Sequence, residues 1–179
     1  MVDADIGDSN DDYVGCDTSL KLGYAYNKIS YDTQYGLFPP AVGMIVLQGL
    51  VNRIVTPNVD LNMTSFGFFI SVSSNPIPCE SDPNGESIEA RLMLKRLKKD
   101  GSPYMNPLVS PTVPTKFCYT GDPKILTGWT EYHGSIQNCN GPNGNYINQN
   151  PVGNRRYLIR IGVQNFKILP NETQTILLC

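Results

Sequence analysis

The 179-residue chain is poor in the groups that most catalytic chemistry needs. It has a single histidine, His133, which excludes zinc centres built on several histidines and every scheme that uses two imidazoles. No Gly-x-Ser-x-Gly turn presents a nucleophile to His133, and the surrounding Tyr-His-Gly reads as a solvated loop. The five cysteines, at positions 16, 79, 118, 139 and 179, contain no Cys-x-x-Cys pair, so zinc-ribbon and thioredoxin chemistry have no support. The Gly-x-x-Gly within Asn140 to Asn145 has neither a strand before it nor a helix after it, and phosphate-binding fingerprints are otherwise missing. Carboxylate pairs of the glycosidase type can be drawn among Glu80, Asp82, Asp122 and Glu131, with nothing in the sequence to prefer one.

Charge is also sparse, at 17 % of residues, and no apolar run approaches the length of a bilayer span. The bases are dispersed, so no nucleic-acid stripe is expected, nor a membrane span. No signal peptide precedes Met1-Val2-Asp3, and the expectation is a fragment of a larger secreted protein.

What the chain does have is a crowd of acids at its start. Asp3, Asp5, Asp8, Asp11, Asp12 and Asp17 fall within seventeen residues that contain no lysine or arginine, while the rest of the chain has ten acids against fourteen bases. Carboxylates packed so densely repel one another, and the segment either stays solvated as an acidic tail or takes up a cation. Small oxygen-bearing side chains at every second or third position, with Gly7 to let the backbone turn, suit calcium. An EF-hand is excluded, because Gly7 precedes Asp8 and the twelfth position from Asp3 is Val14. The acids run directly into Tyr13-Val14-Gly15-Cys16 and an alternating apolar stretch, which favours a loop joined to the core. The expectation is a Ca²⁺ loop over residues 1–17 with these six aspartates as ligands.

Abundant Gly, Pro, Asn and Tyr point to short strands joined by turn-rich loops. Leu20, Leu22, Tyr24 and Tyr26 alternate like a strand with one buried face, Ala41 to Leu50 reads as a buried strand, and Ser65 to Val72 as a strand covered on both faces. One helix is expected over about 86–99, with Ile88, Leu92, Met93 and Leu97 at helical spacing, acids first, bases last and Gly101 beyond. Residues 100–152 are too long to be structureless in a compact domain, and a short strand is expected around Lys116 to Thr120. Tyr157 to Val163, Phe166 to Leu169 and Thr173 to Leu178 read as a β-meander with a turn at Pro170-Asn171-Glu172. The predicted fold class is all-β, a sandwich or jelly-roll-like antiparallel domain of 179 residues with one accessory helix.

Two local features remain open at this level. Cys118 and Cys139 flank the loop-rich stretch and are the natural disulfide candidates, although fifteen arrangements of four cysteines out of five exist and buried free thiols are the alternative. Cys16 reads as a small packed residue. Trp129, Tyr119, Tyr132 and Tyr146 lie in an asparagine-rich region and form either a sugar-gripping platform or ordinary packing.

Eight blocks occur in order: Asp3-Ala-Asp-Ile-Gly7, Asp11-Asp-Tyr-Val-Gly-Cys-Asp17, Leu22-Gly-Tyr-Ala-Tyr-Asn27, Pro39-Pro-Ala-Val-Gly43, Lys99-Asp-Gly-Ser-Pro103, Thr120-Gly-Asp-Pro123, Gly128-Trp-Thr-Glu131 and Asn154-Arg-Arg-Tyr157. In this the chain resembles a group of secreted surface proteins of Bacteroidetes-type bacteria that look like substrates of the type IX secretion pathway. It departs from the group at Phe117-Cys-Tyr-Thr-Gly-Asp-Pro123, at Asn154 where an acid is usual, and at its end, since the related region continues past the position of Leu178. The resemblance implies an extracellular or cell-surface address and supplies no mechanism. The expected function is a non-catalytic, calcium-stabilised extracellular domain with a structural or adhesive role. Its expected partners are further copies through strand edges, or cell-surface glycans. A carbohydrate-binding module and an accessory domain of a secreted hydrolase are the alternatives.

Overall fold

A computed structural model of the chain describes residues 1–51, 61–71, 78–83, 85–109, 113–137, 139, 146–148, 153–162 and 167–179. In chain order the strands are β1 (Val2–Asp3), β2 (Asp12–Asp17), β3 (Leu22–Asn27), β4 (Tyr31–Asp32), β5 (Gly36–Leu37), β6 (Val42–Gln48), β7 (Met63–Ser71), β8 (Ser135–Gln137), β9 (Tyr146–Asn148), β10 (Asn154–Ile161) and β11 (Leu177–Leu178), and α1 (Ser87–Leu94) is the one α-helix among the described residues. One sheet has the order β1-β10-β7, the other β11-β6-β3-β2, and β4-β5 and β8-β9 are two-stranded. All the named pairings are antiparallel. The domain is therefore all-β with one accessory helix, and no described helix is long and apolar enough to cross a membrane.

The two larger sheets face each other across an aromatic core. On β3 the period of two predicted from the tyrosines holds, but the face is reversed. Gly23, Ala25 and Asn27 are the buried positions, while Leu22, Tyr24 and Tyr26 are half-buried. The reason is the bulk of the opposite sheet: a Cβ on Gly23 would lie 2.8 Å from the Tyr157 ring and 2.9 Å from the Phe66 ring. Phe66 packs on Tyr157 at 5.4 Å and Phe68 on Tyr119 at 4.8 Å, and the Tyr157 hydroxyl donates to the Gly23 carbonyl at 3.1 Å. Small residues on one sheet thus make room for large ones on the other. β7 is covered on both faces as expected, with Phe66, Phe68, Phe69 and Ile70 all buried. By contrast β6 is more open than its apolar sequence suggests, with Val46 buried but Val42 and Leu47 exposed, because only two-residue β11 lies beyond it.

Four further expectations are corrected. The helix stops at Leu94, short of residue 99, because Arg96 takes a left-handed φ of 71°. Arg96 N–H then donates to Met93 O at 3.0 Å and Leu97 N–H to Leu92 O at 3.1 Å, the pairing that closes a helix around a left-handed residue. That releases Lys98 inward, where its fully buried ammonium meets Glu80 Oε1 at 2.8 Å and donates to Ile136 O at 3.0 Å. The C-terminal meander is also absent from the described residues: β10 lies between β1 and β7, and β11 joins the other sheet. Phe166 lies outside the described residues.

Lys116 to Thr120 is not a strand of a ladder. It makes a single parallel bridge, with Phe66 N–H donating to Lys116 O at 3.0 Å and Cys118 N–H to Phe66 O at 3.2 Å. Then Tyr119 O accepts Cys16 N–H at 3.0 Å. This connector therefore stitches the free edge of β7 to the free edge of β2. The same buried course explains why Cys118 is not the partner of Cys139. Cys118 is fully buried with a free thiol, Cys16 Sγ donates to its carbonyl at 3.2 Å, and Cys139 is bonded instead to Cys79. That disulfide adjoins the Glu80–Lys98 ion pair, and together with the Ser135 hydroxyl, which donates to Glu80 Oε2 at 3.1 Å, it holds the turn at Pro78–Glu80 to the segment around β8.

Candidate metal centre

The acidic segment folds as a turn braced at both ends. Asp8 caps a 3₁₀ turn at Ser9–Asp11, its Oδ1 accepting Asn10 N–H at 3.1 Å and Asn10 Nδ2–H at 2.6 Å. Asp32, from β4, accepts Asp8 N–H through Oδ2 at 2.7 Å and the N–H groups of Gln34 and Tyr35 through Oδ1 at 2.7 and 2.8 Å. Gly7 is required here twice over, because its φ is 62° and a Cβ would fall 2.2 Å from Asp32 Oδ2. Gly7→Ala is expected to destabilise the domain by about 1–3 kcal/mol, read from the urea midpoint at constant m-value.

The turn delivers Asp11 and Asp12 into the protein with their oxygens largely unmet. Asn27, which faces Asp12 in the β2–β3 register, donates from Nδ2 to Asp11 Oδ1 at 3.0 Å and to Ile6 O at 3.4 Å. Asp11 Oδ2, Asn27 Oδ1 and both carboxylate oxygens of Asp12 are buried without a hydrogen-bond partner. Asp12 is wholly buried and Asp11 and Asn27 nearly so. Burial raises the Asp12 carboxyl to about 7, the charges of Asp11 and Asp5 push it the same way, and the nearby Ile6 amide and Arg155 guanidinium oppose. Burial also raises Asp11, helped by the charges of Asp8 and Asp32. Carboxylates crowded and desolvated to this degree are the converse of a satisfied polar core.

Asp3, Asp5 and Asp17 have other attachments. Asp3 Oδ2 pairs with Arg156 Nε at 2.7 Å, and the same guanidinium reaches Asp82 at 2.8 Å. Asp5 Oδ1 accepts Asn154 Nδ2–H at 2.6 Å, so it stands on the Asp12 side of the turn. Asp17 Oδ1 accepts Ser19 N–H, Ser19 Oγ–H and Leu20 N–H at the β2–β3 turn, and these bonds hold its carboxyl below the usual range.

Beneath the turn lies a buried ion pair that inspection of the acids alone does not find. Arg155 Nε and Glu131 Oε1 are 2.6 Å apart and neither side chain is exposed. Glu131 Oε2 accepts Val14 N–H at 2.7 Å, Arg155 donates to Gly153 O at 2.8 Å, and the guanidinium lies 5.5 Å over the Tyr13 ring. The available signal was positional. Asn27, Glu131 and Arg155 all fall inside the ordered sequence blocks, as polar residues among apolar and aromatic ones.

The aromatic group does not form a platform. Trp129 and Tyr119 are buried, 4.8 Å apart, and the indole N–H donates to Gly134 O at 2.9 Å. Tyr132 is half-exposed, and the side chain of Tyr146 lies outside the described set. His133 is a structural ring: its Nδ1 accepts Thr130 N–H at 3.2 Å. Cys79, Cys139 and Asp100 bring two sulfurs and a carboxylate together, but the sulfurs are bonded to each other and a disulfide offers no thiolate. No protein-family model matches the chain, and no curated protein or solved structure matches it either.

Proposed function

We propose that this is a calcium-stabilised, non-catalytic extracellular domain in which the ion completes the fold at the N-terminal turn, with a structural or adhesive role. The observation that carries the reading is the set of buried, unpartnered oxygens on Asp11, Asp12 and Asn27. All three are hard donors of the kind calcium takes, and the charges of Asp5 and Asp8 add to the negative field around them. The groups that could have served an enzyme are engaged elsewhere, Glu131 in an ion pair and His133 on Thr130. The Cys79–Cys139 disulfide suits an oxidising compartment and an extracellular address. Self-association is the second reading. It is favoured by β11, a two-residue edge with Leu177 and Leu178 exposed beside Leu47.

Chelation and titration test the ion. Calcium bound only to the folded state should add about 2.7 kcal/mol at a hundredfold excess over Kd, and Asp12→Asn should abolish most of that gain. An Asp12 carboxyl raised to about 7 makes the chelated fold hold a proton that the unfolded chain releases near 4. Its contribution is therefore present below about pH 4 and is lost as the pH rises to about 7. Calcium should displace that proton and make the loss disappear. A melting temperature indifferent to chelator from pH 5 to 8 would defeat the reading.

A further inference from the structure

We propose that the cleft between the end of α1, the 116–117 connector and the end of β10 binds an acidic sugar, meaning a saccharide that carries sulfate or carboxylate groups. The cleft has a volume of about 940 Å³ and gathers Lys95, Arg96, Lys116 and Arg160 around one space, with no acidic residue among its described lining. That size is within the range of ligand pockets.

Arg96 and Arg160 are half-buried in the cleft while Lys95 and Lys116 stand exposed at its rim, and none of the four is paired as the more deeply placed bases of this protein are. Lys98 is met by Glu80, Arg155 by Glu131 and Arg156 by Asp3 and Asp82. Among the described residues, no hydrogen bond or ion pair reaches the side chain of Lys95, Arg96, Lys116 or Arg160. Arg160 is held below its ordinary value, first by burial and then by the charge of Arg96, so these two guanidinium groups crowd each other without relief. Arg96 also holds the left-handed position that closes α1, where glycine would carry no strain, and that position turns its side chain to line the cleft. Uncompensated charge and a strained backbone at one cavity suit an anion that arrives from outside.

The rest of the lining selects the kind of anion. Phe117 and Ile161 share the cleft with the cations, and a free sulfate or phosphate would leave them and most of the volume unused. A ring that bears a charged group uses both. Nucleic acid fits poorly, because the chain has a net charge of −2 and the bases form a pocket, not a stripe along the surface. The disulfide also suits a compartment where acidic polysaccharides are the polyanions at hand. This deepens the adhesive half of the proposed function, and the cleft stands apart from the residues of the calcium turn.

Titration calorimetry at low salt, run on the calcium-loaded and chelated protein, should detect binding of a sulfated heparin oligosaccharide or of oligogalacturonate, with the stronger of the two naming the anion. Inorganic sulfate should bind more weakly, and neutral dextran should not bind. Lys116→Ala and Arg160→Ala should each weaken binding by roughly tenfold or more and flatten its salt dependence. Lys124→Ala, on an exposed turn outside the cleft, should leave it unchanged, with all three variants first shown to keep their melting curves. Binding that survives both cleft variants, failure of every acidic sugar, or tighter binding of single-stranded DNA would overturn the proposal. Failure of the calcium site alone would appear as a melting temperature blind to chelator, with sugar binding intact.

Discussion

Arg155→Met is expected to destabilise the domain by about 3–5 kcal/mol. The guanidinium is fully buried beside Glu131, and removing it strands a carboxylate that keeps only part of its compensation, from the Val14 amide. It also leaves the Gly153 carbonyl without its guanidinium donor and removes one of the two cations over Tyr13, the other being Lys28 at 5.3 Å. An exposed pair of the same geometry would contribute no more than about 1 kcal/mol, so the size of the effect reports the burial. Urea denaturation at neutral pH measures it. Glu131→Gln keeps an acceptor for Val14 and should cost less than Arg155→Met, while the double variant should cost clearly less than the sum of the singles. Additive losses, or a loss under about 1 kcal/mol for Arg155→Met, would mean that the pair does not hold β2 to β10.

Trp129→Ala should be comparably severe, at about 3–5 kcal/mol, through lost burial and the cavity left against Tyr119. The substitution also orphans the Gly134 carbonyl that accepts the indole N–H. Trp129→Phe, which keeps a ring but not the donor, should fall nearer 1–2 kcal/mol. A guanidinium chloride titration followed by circular dichroism distinguishes this from a surface role, in which Trp129→Ala would leave the midpoint almost unmoved.

The class of the fold was legible because period and turn chemistry are local. Tyr24 and Tyr26 fix a strand wherever they lie, and no neighbour is needed to see it. Which face of that strand turns inward is not local. Gly23 and Ala25 face the core only because Phe66 and Tyr157, from residues far along the chain, occupy the space. The helix was legible at its start and not at its end, since Arg96 in a left-handed turn has none of the usual signals of glycine. The acid cluster, as a sequence feature, treated six aspartates as equivalent. Their difference is tertiary: Asp17 has a turn of its own, Asp3 meets Arg156, and Asp11 and Asp12 are carried inward. The disulfide partner and the buried Glu131–Arg155 pair depend on long-range geometry in the same way.

The pairing of β1 with β10 sets an order of events in folding. Asp3 meets Arg156 across 153 positions, and Val14 meets the Glu131 carboxylate across 117. Closing such long loops is slow, and a fold dominated by them forms its tertiary contacts late. During synthesis the acids emerge well before the strand bearing Arg155 and Arg156 and stay hydrated until that strand exists to receive them. A nascent chain therefore lacks the assembled turn, and the buried, unpartnered oxygens of Asp11, Asp12 and Asn27 exist only in the finished domain.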